Sequence, residues 1–136
     1  MKKYLFLPLF LLLIACGGSD DSGLDFSGDG EPSILNLSFT PNTISQGEGG
    51  GAIELTITFD FIDEDKNLDT IVLYDPIEDV ALTLDMDQEG QQTGTYFLIV
   101  VIDTNALEPG TYPFELYVSD SDDNHSNTLT GSLTVQ

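Results

Sequence analysis

The sequence predicts an all-β fold, an antiparallel β-sandwich of about seven strands, over residues 33–136. Apolar and polar residues alternate with a period of two in one segment after another, as expected for strands with one buried face. Short groups of Gly, Pro, Asn and Asp, typical of turns, separate these segments. No stretch has convincing helical periodicity. Roughly a hundred residues is the usual size of one such sandwich, so we expect a single domain here.

The clearest predicted strand covers residues 52–62. Its apolar positions alternate with polar ones; they are Ile53, Leu55, Ile57, Phe59 and Phe61. The same alternation predicts strands within residues 35–39, 80–86, 112–118 and 129–135, and residues 70–74 add a short strand. Residues 96–102 are apolar at both parities, which indicates a strand that is covered on both faces or that meets a partner.

Seven short antiparallel strands are typical of an immunoglobulin-like sandwich. The segment Gly110-Thr111-Tyr112, ahead of an alternating strand, resembles the sixth strand of immunoglobulin-like and cadherin-like bacterial surface modules. This resemblance implies that the tyrosine folds back and bonds to the preceding loop. Pro113 departs from the pattern, because a proline in an inner strand removes an N–H from the ladder.

The first fifteen residues are typical of a secretory signal peptide. Lys2 and Lys3 precede an uncharged, strongly apolar run that ends at Ala15. This run of about twelve residues is too short to cross a bilayer, which takes about twenty. The segment Leu13-Ile14-Ala15-Cys16 resembles the lipobox of bacterial lipoproteins. The resemblance implies cleavage before Cys16, transfer of lipid to its thiol, and attachment to a membrane through that lipid.

Residues 16–32 are interpreted as the lipidated cysteine and a flexible acidic linker. Their start, Gly17-Gly18-Ser19-Asp20-Asp21, resembles the acidic export signal of surface-exposed lipoproteins of the Bacteroidota. That resemblance implies a location in the cell envelope, anchored to the outer membrane and displayed on the cell surface. A solvated linker of the same composition is the alternative. Cys16 is the only cysteine, so no intramolecular disulfide can form, and the domain depends on its core for stability.

The charge of the chain excludes nucleic acids as partners. Without the signal peptide, Lys66 is the only Lys or Arg side chain, against 24 acidic ones. A nucleic-acid-binding surface needs a basic patch to neutralise phosphates, and this sequence has none. We also predict that the protein is not an enzyme. His125 is the only histidine, and no recognised catalytic motif is present.

Two acidic loops suggest a calcium site. In an immunoglobulin-like sandwich the loops after the second and sixth predicted strands emerge at the same end. Crowded carboxylates repel one another, and a Ca²⁺ ion with oxygen ligands would relieve that repulsion. The candidate ligands are Asp63, Asp65, Asn67, Asp69, Asp120 and Asp122. Their spacing does not fit an EF-hand, because Leu68 occupies the position of the required glycine. Acidic loops that are simply solvated are the alternative.

The sequence therefore predicts a membrane-anchored, surface-exposed lipoprotein. Its domain would be a non-enzymatic immunoglobulin-like module, stabilised by Ca²⁺ and used for contacts with a protein or a surface. The alternative is a glycan-binding accessory lipoprotein of an outer-membrane uptake system. Tyr74 and Tyr117 would then provide the aromatic contacts to the sugar. Such modules usually present a flat row of aromatics, and this sequence contains no tryptophan.

Overall fold

The computed structural model describes residues 30–86, 88 and 90–136, and in this part the chain forms two β-sheets. The elements are β1 (Ser33–Thr40), β2 (Thr43–Ile44), a 3₁₀ helix (Glu48–Gly50), β3 (Ala52–Ile62), β4 (Leu68–Asp75), β5 (Val80–Asp85), β6 (Thr93–Asp103), β7 (Gly110–Asp120) and β8 (Leu129–Val135). No helix in this part is long and apolar enough to cross a membrane. The predicted signal peptide and the lipidation of Cys16 lie outside the described residues.

The strand pairing confirms the predicted all-β sandwich. One sheet has the order β1-β3-β6, and the other has the order β2-β8-β7-β4-β5. All pairings are antiparallel except that of β2 with β8, which is parallel. Seven strands have six or more residues, and β2 adds a two-residue segment. The first part of the chain thus contributes β1 to one sheet and β2 to the other.

The start of β7 has the tyrosine contact that the resemblance implied. The phenol of Tyr112 donates a hydrogen bond of 2.6 Å to the backbone oxygen of Glu108 in the preceding loop. Pro113 is tolerated because of its position in the ladder. It pairs with Ser132 of β8, whereas β4 pairs with β7 only from Glu115 onwards. Pro113 therefore lies where β7 has a strand neighbour on one side only.

The core lies between the two sheets and contains the alternating apolar residues of both. Its largest fully buried side chains include Phe59, Phe61, Ile57, Leu98, Leu116 and Leu133. Aromatic contacts join strands within and between the sheets. Phe59 and Tyr96 have ring centroids 5.8 Å apart, and Phe39 meets Phe114 edge-on at 5.1 Å. Burial of this apolar surface is the main stabilising contribution to the fold.

A β-bulge in β1 changes which residues of that strand face the core. The register with β3 shifts by one residue between Leu35 and Ser38. Asn36, in the bulge, has a positive φ of 56° and donates a 2.7 Å hydrogen bond to Asp60. The extra residue reverses the parity, so Ile34 is buried while Leu35 is only half-buried. Simple alternation from residue 35 to residue 39 would have placed Leu35 on the core face.

Candidate functional site

The two acidic loops lie side by side at one end of the sandwich, as the fold predicted. The loop between β3 and β4 covers residues 63–67, and residues 121–124 form the turn after β7. The backbone N–H of Ser121 donates to the backbone oxygen of Asn67 at 3.0 Å. The Asn67 side-chain amide also donates to a carboxylate oxygen of Asp122 at 2.9 Å. These two bonds hold the loops together.

Asp63 is the most buried carboxylate of this end, with 0% of its surface exposed. Its Oδ2 accepts a 2.7 Å hydrogen bond from the backbone N–H of Asn67. Its Oδ1 is buried and has no hydrogen-bond partner. Burial raises the pKa of the Asp63 carboxyl, backbone N–H groups of the loop oppose the rise, and the negative charge of Asp120 adds to it. Burial therefore disfavours the ionised carboxylate more than the backbone hydrogen bonds stabilise it.

Asp120 holds its own turn together. Its Oδ1 accepts backbone hydrogen bonds from Asp122 at 2.9 Å and from Asn124 at 2.8 Å. Its Oδ2 accepts the side-chain amide of Asn124 at 2.8 Å. Both oxygens of this buried carboxylate thus accept hydrogen bonds. The negative charge of Asp120 acts on Asp63 by electrostatic repulsion, which raises the pKa of Asp63.

The six predicted ligands do not all come together. Hydrogen bonds connect Asp63, Asn67, Asp122 and Asp120 into one group. Asp65 and Asp69 are exposed and lie outside that group. A Cβ added to Gly30 would lie 2.5 Å from Oδ2 of Asp65, so this carboxylate lies over the glycine. Asp69 lies at a β-bulge in β4. Within residues 30–86, 88 and 90–136, no group of three or more His, Cys, Asp or Glu residues is placed to hold a metal.

A third loop at this end, between β5 and β6, contributes residues that sequence reasoning missed. The backbone N–H of Asp63 donates to the oxygen of Gln92 at 2.7 Å, and that of Gly90 donates to Lys66 at 2.8 Å. Gln88 is 5% exposed, and its Oε1 and that of Gln91 are buried without a partner. Neutral amides in a loop look like solvated residues in the sequence, so nothing there indicated their burial.

The four buried side-chain polar atoms without partners in the described chain are all oxygens. They are Asp63 Oδ1, Asn67 Oδ1, Gln88 Oε1 and Gln91 Oε1. All four belong to the β3–β4 and β5–β6 loops, which are hydrogen-bonded to each other. Each buried acceptor without a partner costs about 1–3 kcal/mol. Such a concentration of unmet acceptors at one end of a fold calls for an explanation.

A second surface of interest is the outer face of β6. Its inward side chains are buried in the core, whereas Phe97, Ile99 and Val101 point outwards and are half-buried; we call these three the outer-face stripe. Their neighbours on β3 are Thr58, Thr56 and Glu54. In the described part of the chain, β3 is the only strand that pairs with β6. Residues 93–102 carry no charged side chain. β6 contains residues 96–102, the segment in which the sequence is apolar at both inward and outward positions.

Tyr74 and Tyr117 lie on the outer face of the larger sheet, and both are half-buried. The Tyr74 phenol donates to Oδ1 of Asp79 at 2.8 Å, and this hydrogen bond to a carboxylate raises the pKa of the phenol. The Tyr117 ring contacts the ring of His125, with centroids 5.3 Å apart. Among the described residues, the large hydrophobic side chains that are mostly exposed are Ile77 and Val80, neither of them aromatic.

No protein-family model matches the chain, and no curated protein matches it either. The functional conclusion therefore depends on the chemistry of the two surfaces. One is the acidic end, with its unmet oxygen acceptors. The other is the outer-face stripe of β6, with an apolar surface and an edge that no described strand covers.

Proposed function

We propose that this protein is a surface-displayed lipoprotein anchored through Cys16, whose non-enzymatic immunoglobulin-like domain binds a partner protein along β6. The anchor is inferred from the lipobox-like segment and the apolar leader. The outer-face stripe and the strand edge beside it carry the binding part of the proposal. Stability of the fold does not require apolar residues on the outward side of an edge strand, so their presence supports contact with another molecule.

The partner that suits this surface is an extended protein segment. An edge strand offers backbone N–H and C=O groups to which another strand can add. Alternate side chains of the added strand would then pack beside Phe97, Ile99 and Val101, and apolar residues fit that position. The backbone bonds would give affinity, and the three apolar side chains would give selectivity.

Charge further restricts the partner. The chain has a net charge of −21. The outer-face stripe shares its sheet with the acidic residues Glu54, Asp60 and Asp103. A second copy of the chain would bring the same charge to the interface, and like charges oppose association. A segment with Lys or Arg residues flanking its apolar positions would be attracted instead. We therefore infer a basic, extended segment of a different protein.

Photo-crosslinking in cells tests the binding surface. A benzoylphenylalanine side chain at Phe97 is expected to give a discrete adduct with another protein, and the same group at Thr83, exposed on the other sheet, is the matched control. Adding Ile99→Lys should reduce the adduct at least about tenfold, because it buries a charge at the contact. Mass spectrometry of the adduct then identifies the crosslinked segment and shows whether it is extended and basic.

Three results would contradict this assignment. Equal adducts at residues 97 and 83 would mean that contact is not specific to the outer-face stripe. An adduct with the mass of two copies of this chain would show self-association instead of binding to a different protein. Polysaccharide binding that is lost in Tyr117→Ala or Tyr74→Ala, and kept in Ile99→Lys, would favour the glycan-binding alternative. That alternative rests on the two tyrosines sharing one sheet face.

The anchor has its own test. Cells fed radiolabelled palmitate are expected to label the wild-type chain, whereas Cys16→Ser should abolish labelling and leave the leader attached, since lipidation precedes its removal in lipoproteins. External protease added to intact cells should degrade the wild-type protein if it is displayed on the surface. Label retained in Cys16→Ser would show that lipid is attached elsewhere.

A further inference from the structure

Four buried oxygens without partners mark the β3–β4 and β5–β6 loops, and their chemistry is uniform. One is a carboxylate oxygen of Asp63, and three are side-chain amide oxygens of Asn67, Gln88 and Gln91. Asn67 has its amide nitrogen engaged by Asp122, which fixes the oxygen as the free end of that group. Asp63 is 0% exposed and Gln88 is 5% exposed, so bulk water does not satisfy these two side chains.

The two loops are held against each other by backbone hydrogen bonds at both ends of the β3–β4 loop. Asp63 donates to Gln92 at 2.7 Å, and Gly90 donates to Lys66 at 2.8 Å. Ile62, next to Asp63, is also in register with Thr93 at the start of β6. The free oxygens therefore belong to neighbouring segments with a defined mutual position. They are not scattered over the domain.

All four oxygens are acceptors, and each needs a hydrogen-bond donor or a positive charge. A single water donates only two hydrogen bonds and leaves the negative charge of Asp63 in place. A cation satisfies several oxygens at once and neutralises that carboxylate. Carboxylate and amide oxygens are ligands for hard cations, whereas zinc sites use mostly nitrogen and sulfur. Ca²⁺ accepts six to eight oxygens in flexible geometry, while Mg²⁺ keeps most of its own water.

We propose that Ca²⁺ binds between the β3–β4 and β5–β6 loops, with side-chain oxygens of Asp63, Asn67, Gln88 and Gln91 as ligands. Water completes the coordination. Asp122 orients Asn67 through its amide, and Asp120 supplies negative charge nearby while holding its own turn. Asp65 and Asp69 stay outside the site. This ligand set therefore replaces most of the carboxylates suggested by the sequence with neutral amides.

The site goes beyond the proposed binding function, because it lies at the start of β6 and away from the outer-face stripe. Its bound ion ties together the end of β3 and the segment that leads into β6. The consequence is a more stable end of the sandwich when Ca²⁺ is present. Failure of partner binding at Phe97 would leave this site unaffected, and failure of the site would leave the crosslinking result unaffected.

Calorimetric titration and thermal unfolding of the full chain, purified in mild detergent, test the proposal. After EDTA treatment, CaCl₂ is expected to bind with one ion per chain. It should raise the melting temperature by at least about 5 °C when present at about 100 times its Kd. MgCl₂ at the same concentration is the control for ionic strength and should raise it much less.

Matched variants separate ligands from general charge. Asp63→Asn and Asp69→Asn each remove one negative charge, but only the first changes a ligand. Asp63→Asn and the charge-preserving Gln91→Leu should each weaken Ca²⁺ binding at least about tenfold, and Asp69→Asn should change it by less than about twofold. Circular dichroism of each EDTA-treated variant checks that it is folded. If Asp63→Asn is unfolded, Gln91→Leu tests the proposal in its place. No Ca²⁺ binding, equal stabilisation by Mg²⁺, or equal weakening by Asp69→Asn would overturn the proposal.

Discussion

Replacing Phe59 by alanine is expected to lower the free energy of unfolding by about 3–5 kcal/mol, the usual cost for a buried phenylalanine. Phe59 is 1% exposed, lies in the central strand of the smaller sheet and packs on Tyr96. The described domain contains no cysteine, so no disulfide compensates for the cavity. For a domain of this size the loss corresponds to a fall of roughly 12–40 °C in melting temperature. Thermal unfolding followed by circular dichroism measures it.

Phe97→Ala is the matched control, because it removes the same side chain from the opposite face of the same sheet. Thr58, the residue before Phe59, is paired with Phe97 in the β3–β6 ladder. Phe97 is half-buried and points away from the core. Its truncation should cost less than about 1 kcal/mol. Comparable losses for the two variants would mean that the outer-face stripe is covered by the domain itself, and the proposed binding surface would then be wrong.

The strands were predictable because one face of each sheet is buried. Strict alternation in β3 predicted its range and its inward residues, since a shift by one residue would expose the whole set. The same rule failed in β1, where the bulge at Asn36 reverses the parity after Ile34. A single asparagine with a positive φ does not alter the hydrophobic pattern of the sequence, so the bulge could not be predicted from that pattern. The two-residue β2 was also missed, because Thr43 and Ile44 are too few to show a period.

The candidate site was predictable only in its location. The topology of the sandwich brought the β3–β4 loop beside the turn after β7, and the bond between Ser121 and Asn67 agrees with that expectation. The sequence indicated acidity, which drew attention to Asp65 and Asp69, but exposed carboxylates are already satisfied by water. Buried oxygens of Gln88 and Gln91 arise from the tertiary position of the β5–β6 loop. Amino-acid type alone does not reveal such burial.

The second large effect is expected at Gly131, where the sequence and the structure predict opposite outcomes. Gly131 lies within β8, and glycine in a strand interior weakens it, so an alanine would ordinarily be stabilising. In the fold, however, Gly131 is paired with Phe114 of β7, whose ring lies over the glycine. A Cβ at this position would collide with Cζ of that ring and lie 2.8 Å from its Cε1. The ring cannot move freely, because Phe114 is buried and packs edge-on against Phe39.

Gly131→Ala is therefore expected to destabilise the domain by about 1–3 kcal/mol, the usual cost of overpacking a core. A double-mutant cycle with Phe114→Leu isolates the cause. The smaller leucine leaves room for the methyl group, so Gly131→Ala should cost at least about 1 kcal/mol less in that background. Denaturant unfolding of the four proteins gives the coupling energy, and equal slopes of the unfolding curves show that the compactness of the states is unchanged. Additive effects, or a stabilising Gly131→Ala, would show that the ring of Phe114 does not constrain this position.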